Sequence, residues 1–307
     1  MIDQKKILVT GGSGMVGKFI KQILPKAFYL SSKDCDLTKC DEVDNFWGKF
    51  KPEVVIHLAA RVGGIMDNIN HPAQYYEQNV LMNTNVLYNS RKYNVDRLIA
   101  ILSTCIYPDV VEKYPMDEDM LHIGPPTKTN FSYGYAKRGL SVHIDSYNQE
   151  YGTNYQYLIP CNLYGEFDKF GDNSHFVSSL IKKIIESKRN NQDYITLFGT
   201  GKPLRQFLYT KDLADIICQC IFDDIRYNFN VATNEVYTIE EIANIAIESI
   251  GDGKIKRIIF DPSKPDGQYR KDVSINKMLE TLPDFRITPL HEGIKRTHDY
   301  IIKNKVF

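Results

Sequence analysis

The sequence predicts an α/β protein, a doubly wound parallel sheet with a smaller, interleaved α/β domain. Three observations carry that expectation. Short apolar runs alternate with longer helix-period stretches through the first half, as strand–helix–strand crossovers require. The first run, Lys6-Ile7-Leu8-Val9-Thr10, leads directly into Gly11-Gly12-Ser13-Gly14-Met15-Val16-Gly17, which reads as strand, tight turn and helix start. After Tyr164-Gly165 the alternation gives way to a polar stretch and then to separate helices and short strands.

In order along the chain, strands are expected at 6–10, 27–31, 54–58, 98–103 and 156–160, and helices at 15–23, 40–49, 74–94 and 132–151. Asp41 favours the opening of the second helix, Pro72 precedes the third, and Gly152 closes the fourth. Beyond a loop at 166–175 comes an amphipathic helix near 175–188, then Thr196-Leu197-Phe198-Gly199-Thr200-Gly201, a strand entering a turn. Thr238-Ile239-Glu240-Glu241 is a capping box, and Ile242, Ile245, Ala246 and Ile250 continue one apolar face to Gly251. Residues 261–267 form a loop and the C-terminus is helical. The dinucleotide domain is expected to comprise 1–165 plus about 204–232, and the second domain about 166–203 and 233–307.

At 307 residues the chain can bury a full core. Lys+Arg and Asp+Glu each number 38, so no global field draws it to nucleic acid or an anionic membrane. Its apolar runs are too short to span a bilayer, and the start has no signal-peptide layout, so a cytoplasmic protein is expected. The six cysteines include no C-x-x-C pair and suggest buried hydrophobes rather than a disulfide framework, with Cys105 the exception. The histidines show no metal-ligand spacing; His57, inside a strand, reads as a satisfied core residue.

The glycine turn marks the sheet as Rossmann-type: the backbone can approach a pyrophosphate, and the helix N-terminus offers it unpaired N–H groups. The second strand ends Tyr29-Leu30-Ser31-Ser32-Lys33, with no carboxylate at its tip and a cation suited to a 2′-phosphate, which favours NADP over NAD although Asp34 lies close. Tyr133 and Lys137, four residues apart, share a helix face; a neighbouring ammonium favours the phenolate, which would let Tyr133 exchange a proton near neutral pH. With Ser103 at the end of another strand, these features point to hydride chemistry on a carbonyl or alcohol.

Together these features resemble the extended short-chain dehydrogenase/reductase superfamily, and within it the GDP-L-fucose synthase family. That closer resemblance rests on Ala59-Ala60-Arg61-Val62-Gly63-Gly64-Ile65 with Asn68 and Pro72, on Ser103-Thr104-Cys105-Ile106-Tyr107-Pro108, and on Asn162-Leu163-Tyr164-Gly165. It continues through Asn173-Ser174-His175, through Gly199-Thr200-Gly201-Lys202-Pro203-Leu204-Arg205-Gln206-Phe207, and through Ser263-Lys264-Pro265-Asp266-Gly267. It implies NADPH-dependent reduction of the 4-keto group of a GDP-linked 6-deoxyhexose after inversion at C3 and C5. Tyr133 would give the proton, Lys137 would hold the nicotinamide ribose, and Ser103 would share the oxyanion site. Cys105 and His175 would be the acid–base pair for epimerisation. Cofactor contacts would come from Gly11, Ser13, Gly14, Met15, Val16 and Gly17, from Ser31, Ser32, Lys33, Asp36 and Leu37, from Leu58, Ala59 and Ala60, and from Tyr133, Lys137, Asn162 and His175. Substrate contacts would come from Thr104, Asn162, Lys183, Phe198, Arg205, Lys264 and Asp266, with Arg205 as the diphosphate ligand.

The chain departs from the family pattern at Phe198, where tryptophan is frequent, at Lys183, where arginine is common, and at Cys161 and Glu166 in place of threonine and proline. A stand-alone C4 reductase acting on a related GDP-4-keto sugar, such as a heptose, would carry the same motifs. A dehydratase would need a carboxylate near Thr104-Cys105, a galactose-type 4-epimerase would not need Cys105 or His175, and a non-catalytic sensor would not need Tyr133 and Lys137. The resemblance also implies a homodimer through helices 74–94 and 132–151, although Tyr75, Val86, Leu87 and Tyr88 read more simply as core.

Overall fold

A computed structural model describes residues 3–171, 174–264 and 266–307. Asn173 and Pro265, which belong to the motifs above, lie outside them. The first half runs β1 (Ile7–Thr10), α1 (Met15–Ile23), β2 (Phe28–Leu30), α2 (Cys40–Phe50), β3 (Val54–His57), α3 (Ile65–Asn70), α4 (Pro72–Lys92), β4 (Arg97–Ile101), α5 (Phe131–Tyr151) and β5 (Gln156–Pro160). The second half runs β6 (Asn162–Tyr164), α6 (Phe176–Arg189), β7 (Tyr194–Phe198), β8 (Leu204–Arg205), β9 (Phe207–Tyr209), α7 (Thr210–Phe222) and β10 (Phe229–Val231). It closes with β11 (Tyr237–Thr238), α8 (Ile239–Ile250), β12 (Arg257–Asp261), α9 (Asn276–Thr281) and α10 (Leu290–Asn304).

The main sheet has six parallel strands in the order β2-β1-β3-β4-β5-β10. β1, β3, β4 and β5 are buried at every position, which is why they read as continuous apolar runs rather than alternating ones. The chain leaves β1 toward β2 and returns on β1's other side as β3, so a crevice opens at the carboxyl ends of β1 and β3. Both the glycine turn and Leu58-Ala59-Ala60 lie at that switch point.

The segment 204–232, for which the sequence suggested no elements, supplies β8, β9, α7 and β10. Helix α7 buries Leu213, Ala214, Ile216, Ile217, Cys218, Cys220 and Ile221 and packs on α1, leaving Lys211, Asp215 and Gln219 as a partly exposed polar stripe at four-residue spacing. Elements α3 and β12 were also unexpected; β12 pairs with β7, and the expected strand at 196–198 is the end of that two-stranded unit. The capping box forms as expected, with Thr238 and Glu241 bonding each other's backbone N–H groups. Gly152 ends α5 in the left-handed region at φ 66°. Cys35, Cys161, Cys218 and Cys220 are buried, but Cys40 is exposed. Among the described residues no helix is long and apolar enough to cross a membrane.

Candidate active site

Gly11 turns the chain at φ 66°, and a Cβ there would lie 2.8 Å from the Ala59 nitrogen, so the turn and the 58–60 loop can close only around glycine. Gly12 N–H donates to the Leu30 carbonyl, tying the turn to β2. Gly14 caps α1 without a side-chain bond, which leaves the first N–H groups of the helix directed at the crevice. That cradle fits a dinucleotide diphosphate. At the end of β2, the Asp34 carboxylate accepts from both the N–H and the hydroxyl of Ser31, at 2.8 and 2.6 Å. The carboxylate is thereby bound into its own turn, while Lys33 and Ser32 remain exposed beside it. Asp36 accepts from Thr38, and the Leu37 carbonyl accepts from buried Asn85, so this edge of the crevice is anchored to α4.

Tyr133 and Lys137 stand in the first turns of α5. Gly134 between them is required by packing, since a Cβ there would come within 2.7 Å of the Cys105 carbonyl oxygen. Lys137 is 2% exposed and donates to the Ile101 carbonyl at the end of β4, at 2.8 Å. Burial pushes its ammonium down to about 8. The expected acidification of the Tyr133 phenol is overturned: burial raises it well above its ordinary value, the nearby Cys105 and Tyr75 raise it further, and only its hydrogen bond with Ser103 acts the other way. Lys137 donates to a backbone carbonyl, and its charge is not among the causes that act on the phenol. Tyr133 is also braced by the edge of Tyr75 at 6.4 Å, whose hydroxyl donates to Asp67. His57 is a satisfied core residue as expected, bonded to Thr10 and Asn83 and held neutral, down to about 3, chiefly by burial.

Ser103 follows β4 and caps the short turn Thr104–Ile106, accepting from the Cys105 N–H. Cys105 Sγ receives Asn130 Nδ2 at 3.1 Å and Lys271 Nζ at 3.0 Å. Burial acts to raise this thiol, but the Lys271 charge and the hydrogen bonds of Lys271, Ser103 and Asn130 outweigh it, and the net shift is down. His175 caps α6 at its start; its side chain is 48% exposed, and Nδ1 lies 2.8 Å from Asp168 Oδ1. The Asp168 hydrogen bond raises the imidazole, overriding burial. Cys105 lies near enough for its charge to act on Tyr133, His175 and Arg205.

Farther along the cleft, Phe198 is 64% exposed, with Lys183 Nζ 5.7 Å and Lys264 Nζ 5.9 Å from its ring centre. Asp266 is already engaged, taking the Thr200 N–H at 2.7 Å and its hydroxyl at 2.8 Å. Arg205 bonds only carbonyl oxygens, those of Leu204, Tyr269 and Asp266, which leaves its charge without a carboxylate partner among the described residues. Asn162 donates to the Gln206 carbonyl, and Thr104 is buried beneath the Cys105 turn.

Residues 7–232 match the NAD dependent epimerase/dehydratase family. The GDP-L-fucose synthase of Dictyostelium discoideum is 38% identical over 314 aligned residues, covering 98% of this chain and 97% of that protein. The chain belongs to the GDP-L-fucose synthase family. The GDP-L-colitose synthase of Yersinia pseudotuberculosis is 34% identical, covering 98% of this chain and 99% of that one. The crystal structure of a GDP-L-fucose synthetase from Naegleria fowleri bound to NADP is similar with a TM-score of 0.89 at 35% identity, covering 100% of this chain and 95% of that one.

Within this family member, three site neighbours carry no signal in the sequence. Asn130 immediately precedes α5, Asp168 lies seven residues before His175, and Lys271 lies four after Gly267. None falls at a spacing that marks chemistry; only the fold brings them to Cys105 and His175. Glu166, at a departure from the family pattern, accepts from the Tyr209 hydroxyl, away from the cysteine–histidine pair. Cys161 is buried, and its burial pushes the thiol up to about 12, so it is an inert wall.

Proposed function

We propose that this chain is an NADPH-dependent reductase of the C4 keto group of a GDP-linked 4-keto sugar, which it also epimerises at C3 and C5, with GDP-4-keto-6-deoxymannose as substrate. What supports the reading is the nearness of two chemistries around Cys105, whose charge acts on both Tyr133 and His175. Tyr133, Ser103 and Lys137 serve reduction, and Cys105 with His175 serves proton exchange.

NADPH would supply the hydride for C4. The glycine turn and the start of α1 would cradle its diphosphate, Lys33 would meet the ribose phosphate, and Lys137 would hold the nicotinamide ribose. Tyr133, kept protonated by its burial, is loaded to donate toward the developing alkoxide, which is the more basic group. Ser103 bonds the same oxygen and, with Tyr133, stabilises an enolate as well as an alkoxide. Cys105 and His175 take and return the protons at the carbons flanking the ketone. At the nucleotide end Phe198 offers a face to the base, flanked by the Lys183 and Lys264 ammoniums, and Arg205 meets the diphosphate with a planar fork. Asp266 shapes that loop through Thr200.

The test is proton wash-in. With GDP-4-keto-6-deoxymannose in heavy water, deuterium entering C3 and C5 with and without NADPH, and an alcohol formed only with NADPH, is the expected result. Reduction with no exchange would establish the alternative, a stand-alone C4 reductase.

The same reading makes the enzyme a homodimer through α4 and α5. Tyr76, Leu81 and Tyr88 on α4, and Phe131, Val142 and Tyr151 on α5, are exposed, and Tyr76, Phe131, Tyr135 and Val142 line an open cavity of about 700 Å³. Tyr88 therefore belongs to the surface, whereas Tyr75, Val86 and Leu87 are core. Sedimentation of Val142→Glu as a monomer, against a dimeric parent, is the expected outcome. A cytoplasmic location suits a mechanism that needs the Cys105 thiol free.

A further inference from the structure

Lys271 is a buried cation whose hydrogen-bond partner is a sulfur rather than an oxygen. It is 8% exposed, and its Nζ meets Cys105 Sγ at 3.0 Å. The adjacent Asp272 is turned away into a two-point pair with Arg270, at 2.6 and 3.1 Å. Among the described residues no carboxylate lies within ion-pair distance of Lys271. A buried ammonium without a counter-charge is strongly disfavoured, so the group it touches is under pressure to supply the negative charge.

The sulfur's other partner points the same way. Asn130 presents Nδ2 to Sγ at 3.1 Å, while its Oδ1 accepts from the Thr129 hydroxyl at 3.0 Å. Neither an ammonium nor an amide nitrogen has a lone pair to receive an S–H proton. Two donors converging on one sulfur are satisfied by the anion and wasted on the thiol. From the remaining elements, Tyr133 on α5, His175 at the head of α6 and Arg205 on β8 act electrostatically on the same sulfur, and Arg205 is a cation throughout.

We propose that Lys271 is a positioning residue that holds Cys105 as a thiolate in the resting enzyme, before substrate enters. This rests on the reading of Cys105 as an epimerisation residue. Cys105 is then the partner that starts as base: a proton passes from the ring carbon beside the ketone to Sγ, the electron pair moves into the enolate held by Ser103 and Tyr133, and His175 delivers a proton to the opposite face.

The test is the pH dependence of iodoacetamide alkylation of Cys105 in the full chain, followed by peptide mass spectrometry, with added N-acetylcysteine as the reference thiol. Cys105 is expected to titrate below that reference. Lys271→Met is expected to move that midpoint upward and to slow alkylation of Cys105 at neutral pH by about tenfold, the factor that corresponds to one pH unit; Lys271→Arg is expected to restore it. An unchanged midpoint in Lys271→Met, in protein that still binds NADPH with parental affinity, overturns the proposal. So does a parental Cys105 that titrates at or above the N-acetylcysteine reference, which needs no variant to fold. Deuterium wash-in at C3 and C5 on the same samples separates the two readings. A raised thiol midpoint with undiminished exchange upholds the role of Lys271 and refutes Cys105 as the epimerisation base.

Discussion

The two sides of the cleft manage charge in opposite ways. On the reduction side burial dominates: Tyr133 is pushed up and Lys137 down to about 8, so both drift toward neutrality. On the epimerisation side partners dominate: Lys271 and Asn130 pull Cys105 down, and Asp168 pulls His175 up, so both drift toward charge. The difference suits the two reactions. A proton donor to an alkoxide works best when it holds its proton until hydride arrives. A base that abstracts from carbon works best when it is already deprotonated, with its acid already loaded. One scaffold obtains both states by placing the first pair on α5 against the sheet and the second where loops from distant parts of the chain bring counter-charges.

The sharpest way to break this contrast is to remove the proton donor. Tyr133→Phe is expected to lower the rate of C4 reduction by about 10³-fold, within the span typical of general-acid loss, while NADPH affinity persists and C3/C5 exchange falls by only about tenfold, Ser103 alone then holding the enolate. NADPH absorbance and ring-proton NMR read the two activities separately; an equal loss of both would merge the two sides into one. Cys105→Ser is expected to do the converse, cutting exchange by about 10²-fold with NADPH binding intact, and His175→Asn is expected to cut exchange by a similar factor.

The reduction side also predicts a pH limb. Lys137 is charged below about 8 and neutral above it. If its cation holds the nicotinamide ribose, kcat/KM for NADPH falls about tenfold per unit above that point, and Lys137→Met shows a low, flat profile over the same range. An alkaline limb that persists in Lys137→Met would assign it to another group.

The contrast also explains what the sequence revealed. The reduction side was legible because its parts are contiguous: a glycine turn after a strand, and a tyrosine and lysine one helical turn apart. Their positions followed, yet their electrostatics did not, because burial of α5 against β4 overrides the effect expected from Lys137, whose ammonium turns to Ile101. Cys105 and His175 were found only through a resemblance, since each alone is an ordinary residue. Lys271, Asn130 and Asp168 were not found at all, because 166 positions separate Lys271 from the cysteine it touches. Helix α7 carried a legible pattern, since Lys211, Asp215 and Gln219 mark a polar stripe at four-residue spacing against an apolar face.

The smallest effect is expected from Asp168. Its carboxylate, almost fully buried, bonds His175 through Oδ1 and the Ser178 hydroxyl through Oδ2, so it orients the imidazole and keeps Nδ1 protonated. A raised imidazole carries its proton to higher pH and loses it as pH climbs through the raised value; Asp168→Asn should therefore move the alkaline limb of C3/C5 exchange downward. Because His175 is 48% exposed, solvent screens the pair, and the loss near pH 7 should be only about three- to fivefold, in the range of a half-exposed ion pair. Reduction of a substrate that needs no epimerisation should be unaffected, since Asp168 contacts neither Tyr133 nor Lys137. A shift in the limb without a loss in NADPH affinity separates this charge-holding role from a merely structural one, because a collapsed loop would lower the rate at every pH alike.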